Sequence, residues 1–188
     1  DAAISVVSRI SGEGNDRTPL KGDIRLTDSE VRDILALDKK FTRFMLVLNV
    51  GGVVDLSPVM SVRNILLLSQ LGVETGAALA DILLGKANPS GKLTTTWAPF
   101  EEYPEMPDFE DMNETRYREG IYVGYRYFDT FRKKALFPFG YGLSYTEFRL
   151  GTAGVKANGA QVTVRTTVEN IGALAGRQVV QVYLSKPA

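Results

Sequence analysis

The chain has 188 residues, of which 44% are apolar and 23% are charged, and its 22 basic side chains balance 22 acidic ones. These proportions are ordinary for a globular protein, and the even charge argues against nucleic acid, an anionic membrane or a polyanionic substrate as a partner. The sequence contains no cysteine and no histidine, so disulfides, thiolate metal sites and imidazole bases are excluded. Acid–base chemistry must use carboxylates, lysine or tyrosine, and we expect no metal and no cofactor.

The apolar runs of the sequence, such as 44–50, are far shorter than the ~20 residues that span a bilayer. The N-terminus lacks the basic region and apolar stretch of a signal peptide, although both ends of the chain look cut. Together with the absence of cysteine, these features favour a cytoplasmic location.

The first half of the chain alternates strand and helix patterns. Apolar, partly β-branched runs predict buried strands at 4–8, 44–50 and 64–69. Helices are predicted over about 28–42 and over 74–84. Strands that alternate with helices imply parallel pairing, so the fold class is α/β, with layers of helices on a mostly parallel sheet.

Local signals support the helix positions. Thr27 and Glu30 have the spacing of a capping box at the start of the first helix. The second helix is expected to pack its alanine, leucine and isoleucine side chains against neighbours and to end at Gly85. Residues 57–62 predict a short helix that supplies the crossover between the second and third strands.

A polar, glycine-rich loop at 9–22 follows the first strand. Glu13 lies in it between Gly12 and Gly14, and these glycines allow a close approach of the backbone to a ligand, so that the carboxyl group is presented without a bulky neighbour. Taken alone, this pattern is more typical of a solvated glutamate in a surface loop.

Four charged residues follow Glu13 in the same loop or directly after it. Asp16 and Arg17 are adjacent and could brace the loop or contact a substrate hydroxyl, with bracing the preferred interpretation. Lys21 and Asp23 are similar in type, and we assign them no role.

Two other residues have both a structural and a functional interpretation. Asn49 ends a predicted strand, where ligands gather in open α/β sheets, but capping of the turn at 51–52 is the preferred role. Trp97 is the only tryptophan and could stack on a sugar, although a core position at the end of a strand is favoured.

The second half of the chain begins with a predicted surface loop at 98–114 and then becomes aromatic. Eleven of the 17 tyrosine and phenylalanine residues lie between Tyr117 and Phe148, as at a domain seam or beside a sugar-like ligand. From Gln161 the pattern alternates apolar and polar residues, in VTVRTTVEN and QVVQVYLS, which predicts antiparallel strands and a domain boundary near 150–158.

In this order, the pieces resemble glycoside hydrolase family 3. The resemblance is carried by ISGEGNDR, LNVGGVVD, ALADILLGKANPSGKL, YREGIYVGYRYFD, FPFGYGLSYTEF and VTVRTTVENIGALAGRQVVQVYLS. It implies an incomplete α/β sandwich domain at 1–150, with an aromatic linker at 115–148, followed at 151–188 by the first strands of a fibronectin type III-like β-sandwich.

The resemblance also implies a function. The chain would be part of a retaining, exo-acting β-glucosidase and would supply Glu13 as general acid/base, with Asp16 and Arg17 as candidates for substrate binding. In such enzymes an aspartate nucleophile lies on a barrel domain, and nothing in this sequence resembles that barrel. The implied partners are a β-glucoside and the missing barrel domain, which lies in the same polypeptide or in a separate chain. A homo-oligomer is possible, and the isolated chain should be inactive.

Two alternatives remain open. The enzyme could act on β-xylosides or other glycosides. The sequence at 72–76 (GVETG) differs from the family's usual motif, so this loop does not identify the sugar. Alternatively, the chain could be a non-catalytic carbohydrate-binding or assembly module that uses Tyr122, Tyr125 and Tyr127.

Overall fold

The computed structural model of the chain describes residues 1–10, 16–105, 111 and 113–185. Two compact units are present, one formed by Asp1–Gly76 with Leu93–Phe139 and the other by Ala77–Lys92 with Gly140 onward. Each mixes segments from distant parts of the sequence, so the boundary expected near 150–158 stays a prediction. Among the described helices, none combines the length and apolar character needed to cross a membrane.

The first unit contains the elements β1 (Ala2–Ser8), α1 (Asp28–Lys40), β2 (Arg43–Asn49) and β3 (Ile65–Leu67). The three strands form a parallel sheet in the order β1-β2-β3. Val6 of β1 lies opposite Val47 of β2, and Leu46 of β2 lies opposite Ile65 of β3. The helix α1 connects β1 to β2, and a short 3-10 turn, Ser57–Val59, lies between β2 and β3. The α/β class and the parallel pairing are therefore confirmed.

The central strand β2 is buried on both of its faces. Leu46, Val47 and Leu48 are each at most 1% exposed, as expected for a parallel strand covered on two sides. The helix α1 contributes Ile34 to the same core. Trp97 joins it at 4% exposure, and its backbone N–H donates to the carbonyl of Phe137 at 2.9 Å. The core position of Trp97 is confirmed.

The capping box at the start of α1 is confirmed. The Glu30 amide donates to Thr27 Oγ1 at 3.1 Å, and the Thr27 amide donates to Glu30 Oε2 at 2.8 Å. Each partner satisfies an amide that the first helical turn leaves without a carbonyl acceptor.

Residues 117–139 of the aromatic segment belong to the first unit and include a helix that the sequence pattern does not predict, α3 (Tyr125–Thr130). The rings of Tyr122 and Phe131 lie 5.1 Å apart in an edge-to-face arrangement, and those of Tyr125 and Phe139 lie 4.9 Å apart. Ring pairs at these separations stabilise each other beyond their burial. Several of these rings nevertheless remain on the surface, since Tyr122 is 39% and Phe131 is 51% exposed.

The helix α2 (Thr75–Leu83) has the expected position, and Gly85 follows it with a φ of 69°. Leu79, Ile82 and Leu83 are half-buried, whereas Ala77 and Ala80 are exposed. The expected packing of the apolar face is therefore present only in part. An apolar period shows which side chains can be buried, but burial also requires an element that covers them.

The second unit contains the strands β4 (Phe148–Leu150), β5 (Gly154–Asn158), β6 (Gln161–Arg165) and β7 (Val168–Asn170). They form two separate antiparallel pairs, β4 with β7 and β5 with β6. Residues 178–185 form no strand, so the prediction of a strand from QVVQVYLS is wrong. Alternation makes one face suitable for burial, but a strand also needs a neighbour for its backbone groups. The fibronectin-like assignment stays a prediction.

Candidate functional site

The polar loop follows β1 at the edge of the sheet where the carboxyl ends of all three parallel strands lie. Arg9 follows β1, Asn49 ends β2 and Gln70 lies shortly after β3. The Arg9 amide donates to the Asn49 carbonyl at 3.2 Å, and Gln70 Nε2 donates to the Arg9 carbonyl at 3.0 Å. In open α/β sheets, ligands bind outside this edge. The first residue of the loop is therefore held by main-chain hydrogen bonds at the edge of the sheet where a ligand is expected to bind.

Arg9 itself is buried, with 8% of its surface exposed, and it forms a bidentate ion pair. Its Nη1 and Nη2 atoms donate to the two carboxylate oxygens of Glu30, both at 2.8 Å. Its Nε atom donates to the main-chain carbonyl of Asp23, also at 2.8 Å. A planar guanidinium can meet several fixed acceptors at once, so this residue joins β1, the start of α1 and the end of the polar loop.

The carboxylate of Asp23 gathers the other end of the loop. Its Oδ1 atom accepts from Arg17 Nε at 2.7 Å, and its Oδ2 atom accepts from the Thr18 amide at 2.6 Å and the Thr18 hydroxyl at 3.2 Å. Partial burial alone would raise the pKa of the Asp23 carboxyl, but the hydrogen bonds from Thr18 and Arg17 and the Arg17 charge outweigh it and lower that pKa. Asp23 is therefore held as a carboxylate.

Arg17 also reaches the turn after β2. Its Nη1 atom donates to the Val53 carbonyl at 2.7 Å. A Cβ atom on Gly52 would lie 2.9 Å from the same Nη1, so the absence of a side chain there makes room for the guanidinium. Its Nη2 atom is buried and has no hydrogen-bond acceptor among the residues that the structure describes.

The structure describes three of the four candidate residues taken from the sequence that are discussed next. Glu13 lies outside the described residues. Asp16 is exposed and forms no ion pair with another residue in the described part of the chain. Arg17 makes the bracing contacts that were the preferred interpretation, while its contact with a substrate stays a prediction. Lys21 pairs with Asp28 at 2.6 Å on the surface.

Two features of the loop differ from the sequence interpretation. Asp23 was assigned no role, yet it is the residue on which Arg9 and Arg17 converge. The sequence predicts that Asn49 caps the turn at 51–52, but among the described residues its side chain donates no hydrogen bond to that turn, and its carbonyl accepts from the Arg9 amide. The Arg9–Glu30 pair also escaped the sequence analysis, because a separation of 21 positions gives no periodic signal. Its only sequence signal is a charged residue directly after a buried strand.

The described residues contain no cluster of three or more aspartate and glutamate side chains that could hold a metal ion.

Comparison with known proteins identifies the family. The model of the glycosyl hydrolase family 3 C-terminal domain matches residues 1–145. The chain belongs to glycosyl hydrolase family 3. A β-glucosidase from Ruminococcus albus is 39% identical over 191 residues, which cover 100% of this family 3 chain and 20% of that protein. An exo-α-(1→6)-L-arabinopyranosidase from Bifidobacterium breve is 38% identical over 75% of the chain and 19% of that protein.

Solved structures of the family share the fold. β-Glucosidase 3B from Thermotoga neapolitana, in complex with glycerol, matches with a TM-score of 0.85 and 41% identity, over 94% of this chain and 26% of that one. The family 3 chain thus spans about a fifth to a quarter of the length of these relatives. It corresponds to their C-terminal domain.

Proposed function

We propose that this chain is the part of a retaining, exo-acting β-glucosidase that supplies the general acid/base, and that Glu13 is that residue. One observation carries the proposal. The chain belongs to glycosyl hydrolase family 3, and the relatives that match it over its whole length include β-glucosidases. The nucleophilic aspartate would come from a barrel domain elsewhere in the full-length polypeptide.

The position of the loop supports a catalytic role for Glu13. The loop starts at the carboxyl edge of the parallel sheet, and in the sequence Glu13 lies between two glycines, which have no side chain to crowd a carboxyl group. Arg9 and Arg17, on either side, make fixed contacts within the first unit. A carboxyl group on such a loop can be presented to a sugar bound on another domain.

Retaining hydrolysis requires two carboxyl groups about 5 to 5.5 Å apart across the scissile bond. The nucleophile attacks the anomeric carbon while the acid gives its proton to the departing oxygen, which forms a covalent glycosyl–enzyme. The same residue, now a carboxylate, then takes a proton from water, and the hydroxyl attacks the anomeric carbon and releases the nucleophile. Glu13 would perform both proton transfers.

The acid role requires Glu13 to be protonated near neutral pH, although an unperturbed glutamate has a pKa of about 4.3. Removal from water and the negative charge of the nucleophile both raise the pKa of a carboxyl group. Both influences come from the barrel side of the pocket. The isolated chain should therefore be inactive even if it folds.

Of the two neighbouring candidates, Arg17 fits bracing better than substrate binding. Its side chain is 20% exposed, and two of its donors are already used by Asp23 and Val53. Asp16 is exposed and remains the better candidate for contact with a sugar hydroxyl.

The sugar is the least determined part of the proposal. Because the relatives include both β-glucosidases and an arabinopyranosidase at similar identity, an enzyme of another pyranoside specificity is the second candidate. The non-catalytic binding module has less support, since the relatives that match the whole chain are β-glucosidases. A panel of aryl glycosides assayed with the full-length protein separates the sugars.

The test of the proposal is Glu13→Ala in the full-length protein, with Glu147→Ala on the exposed surface as control. We expect kcat/KM for an alkyl β-glucoside, whose leaving group needs protonation, to fall by about 10²- to 10⁴-fold in Glu13→Ala only. Undiminished turnover of the alkyl glucoside would remove Glu13 from the mechanism.

A further inference from the structure

Both flanks of the segment that carries Glu13 are attached to one residue. Arg9 donates from Nε to the Asp23 main-chain carbonyl at 2.8 Å, and Arg17 donates from Nε to the Asp23 carboxylate at 2.7 Å. The seven residues from Ile10 to Asp16 separate the two arginines in sequence. Both ends of this segment are therefore connected to Asp23 through arginine side chains.

The Arg9 end is fixed more firmly than an ordinary surface contact would fix it. Arg9 is buried, and its remaining donors go to Glu30 and to the Ser8 carbonyl. Its own amide and carbonyl are bonded to Asn49 and Gln70. This end of the segment is thus part of the sheet edge and of the first turn of α1.

The Arg17 end depends on Asp23. The Asp23 carboxylate accepts from Arg17 and from both the amide and the hydroxyl of Thr18, so three donors converge on two oxygen atoms. The second contact of Arg17, with the Val53 carbonyl, requires the space above Gly52. Loss of the Asp23 charge would leave a mostly buried guanidinium without its counter-ion.

We propose that Asp23 is a positioning residue, which fixes the separation of Arg9 and Arg17 and so the placement of the general acid/base at Glu13. This inference rests on the proposed function. A chain segment with fixed ends samples fewer conformations than one with a free end. Catalytic groups must be held within about 0.5 Å of their working geometry, and a displacement of about 1 Å can cost 10²-fold in rate.

The experiment uses the full-length protein and a series of β-glucosides with leaving groups that range from 2,4-dinitrophenol to an alkyl alcohol. Asp23→Asn keeps the shape of the side chain and removes its charge. Asp28→Asn is the matched control, because Asp28 lies five positions further on and belongs to an exposed ion pair with Lys21. The readout is the dependence of kcat/KM on the pKa of the leaving group.

For Asp23→Asn, we expect kcat/KM for the alkyl glucoside to fall by about 10- to 100-fold and that for the dinitrophenyl glucoside to change by less than about 3-fold. A misplaced acid matters only where the departing oxygen needs a proton. The ratio between the two substrates does not depend on the folded fraction, so a partly unfolded preparation cannot produce it. Asp28→Asn should leave the ratio unchanged.

Two further variants carry the test if Asp23→Asn does not accumulate. Arg17→Lys keeps the charge but cannot meet Asp23 and Val53 together. Gly52→Ala introduces a Cβ atom 2.9 Å from Arg17 Nη1 and displaces the guanidinium without altering any charge. Both should shift the substrate ratio in the same direction as Asp23→Asn.

Glu13→Ala, measured with the same series of substrates, distinguishes failure of the positioning role of Asp23 from failure of the proposed function of Glu13. A steep leaving-group dependence in Glu13→Ala with a uniform loss, or no loss, in all three positioning variants would overturn the role of Asp23 and leave the proposed function intact. A flat dependence in Glu13→Ala would overturn both.

Discussion

The guanidinium of Arg9 donates to both carboxylate oxygens of Glu30 at 2.8 Å, although the two residues lie 21 positions apart. Glu30 also accepts from the Thr27 amide, so one carboxylate completes an ion pair and caps a helix. This arrangement ties the start of α1 to the residue from which the polar loop departs. The stability of the helix start and the geometry of the loop are therefore coupled.

Removal of Arg9 should destabilise the first unit strongly. Arg9→Met leaves Glu30 without its counter-ion, and removal of one partner of a buried pair costs about 3 to 5 kcal/mol. Since the Glu30 side chain is 26% exposed, we expect a smaller loss of about 2 to 4 kcal/mol. The unfolding midpoint of the full-length protein in urea measures it. Arg32→Met, in an exposed pair with Asp33, is the control, and equal effects of the two substitutions would contradict the account.

The Glu30 carboxyl should make stability depend on acid pH. Partial burial acts to raise the pKa of Glu30, but the Arg9 and Thr27 hydrogen bonds and the Arg9 charge outweigh it and lower that pKa. A lowered folded-state pKa gives a contribution that is complete above the unfolded value of about 4.3 and is lost as the pH falls through the folded value. Glu30→Gln should therefore lose less stability than the wild type between about pH 5 and pH 3.

The measurement is the urea midpoint at several pH values, with Asp33→Asn as a control that keeps the ion pair of Arg9. Parallel pH profiles for Glu30→Gln and the wild type would show that this carboxyl does not contribute to the acid dependence.

The hydroxyl of Thr27 should contribute separately from the Glu30 side chain. Thr27→Ala removes the acceptor of the Glu30 amide at 3.1 Å, and such losses at an N-cap cost about 1 kcal/mol. Thr27→Ser keeps the hydroxyl and should cost little. If serine and alanine were equally destabilising in urea, the methyl group and not the cap would matter at this position.

Tyr103 should confer an alkaline dependence of stability. Burial raises the pKa of Tyr103 to about 12, and its hydroxyl donates to the Thr96 carbonyl at 2.8 Å while accepting from the Ala98 amide. Because the folded pKa lies above the unfolded value of about 10, the contribution is complete below pH 10 and falls as the pH rises toward 12.

Tyr103→Phe removes this dependence but also leaves the Ala98 amide without an acceptor. We expect a loss of about 1 to 3 kcal/mol at neutral pH and a shallower decline of the urea midpoint above pH 10 than in the wild type. An exposed tyrosine, Tyr117, provides the control through Tyr117→Phe. A decline above pH 10 that is identical in Tyr103→Phe and the wild type would contradict the account.

The sequence predicts those parts of the fold that depend on local patterns. The strand β2, the capping box at Thr27 and the glycine after α2 each follow from a few neighbouring residues, and each is present. The strand expected at 178–185 is absent because pairing depends on a neighbour that an alternating pattern cannot supply.

The candidate site divides in the same way. The glycine frame around Glu13 is visible in the sequence because the three residues are contiguous. The role of Asp23 is not visible, because it depends on two arginines that lie 14 and 6 positions away and meet it only in the folded chain. Aspartate and arginine in a polar loop are too common to indicate such a contact by themselves.

The most direct test of the central claim uses Glu13→Ala in the full-length protein with 2,4-dinitrophenyl β-glucoside and added azide. Azide needs no general base, so it can attack the covalent glycosyl–enzyme that water attacks too slowly in this variant. We expect azide to accelerate turnover of Glu13→Ala, but not of the wild type, and to give β-glucosyl azide as the product. Turnover of Glu13→Ala that is equal to that of the wild type, with no azide effect and no glucosyl azide, would show that Glu13 is not the general acid/base.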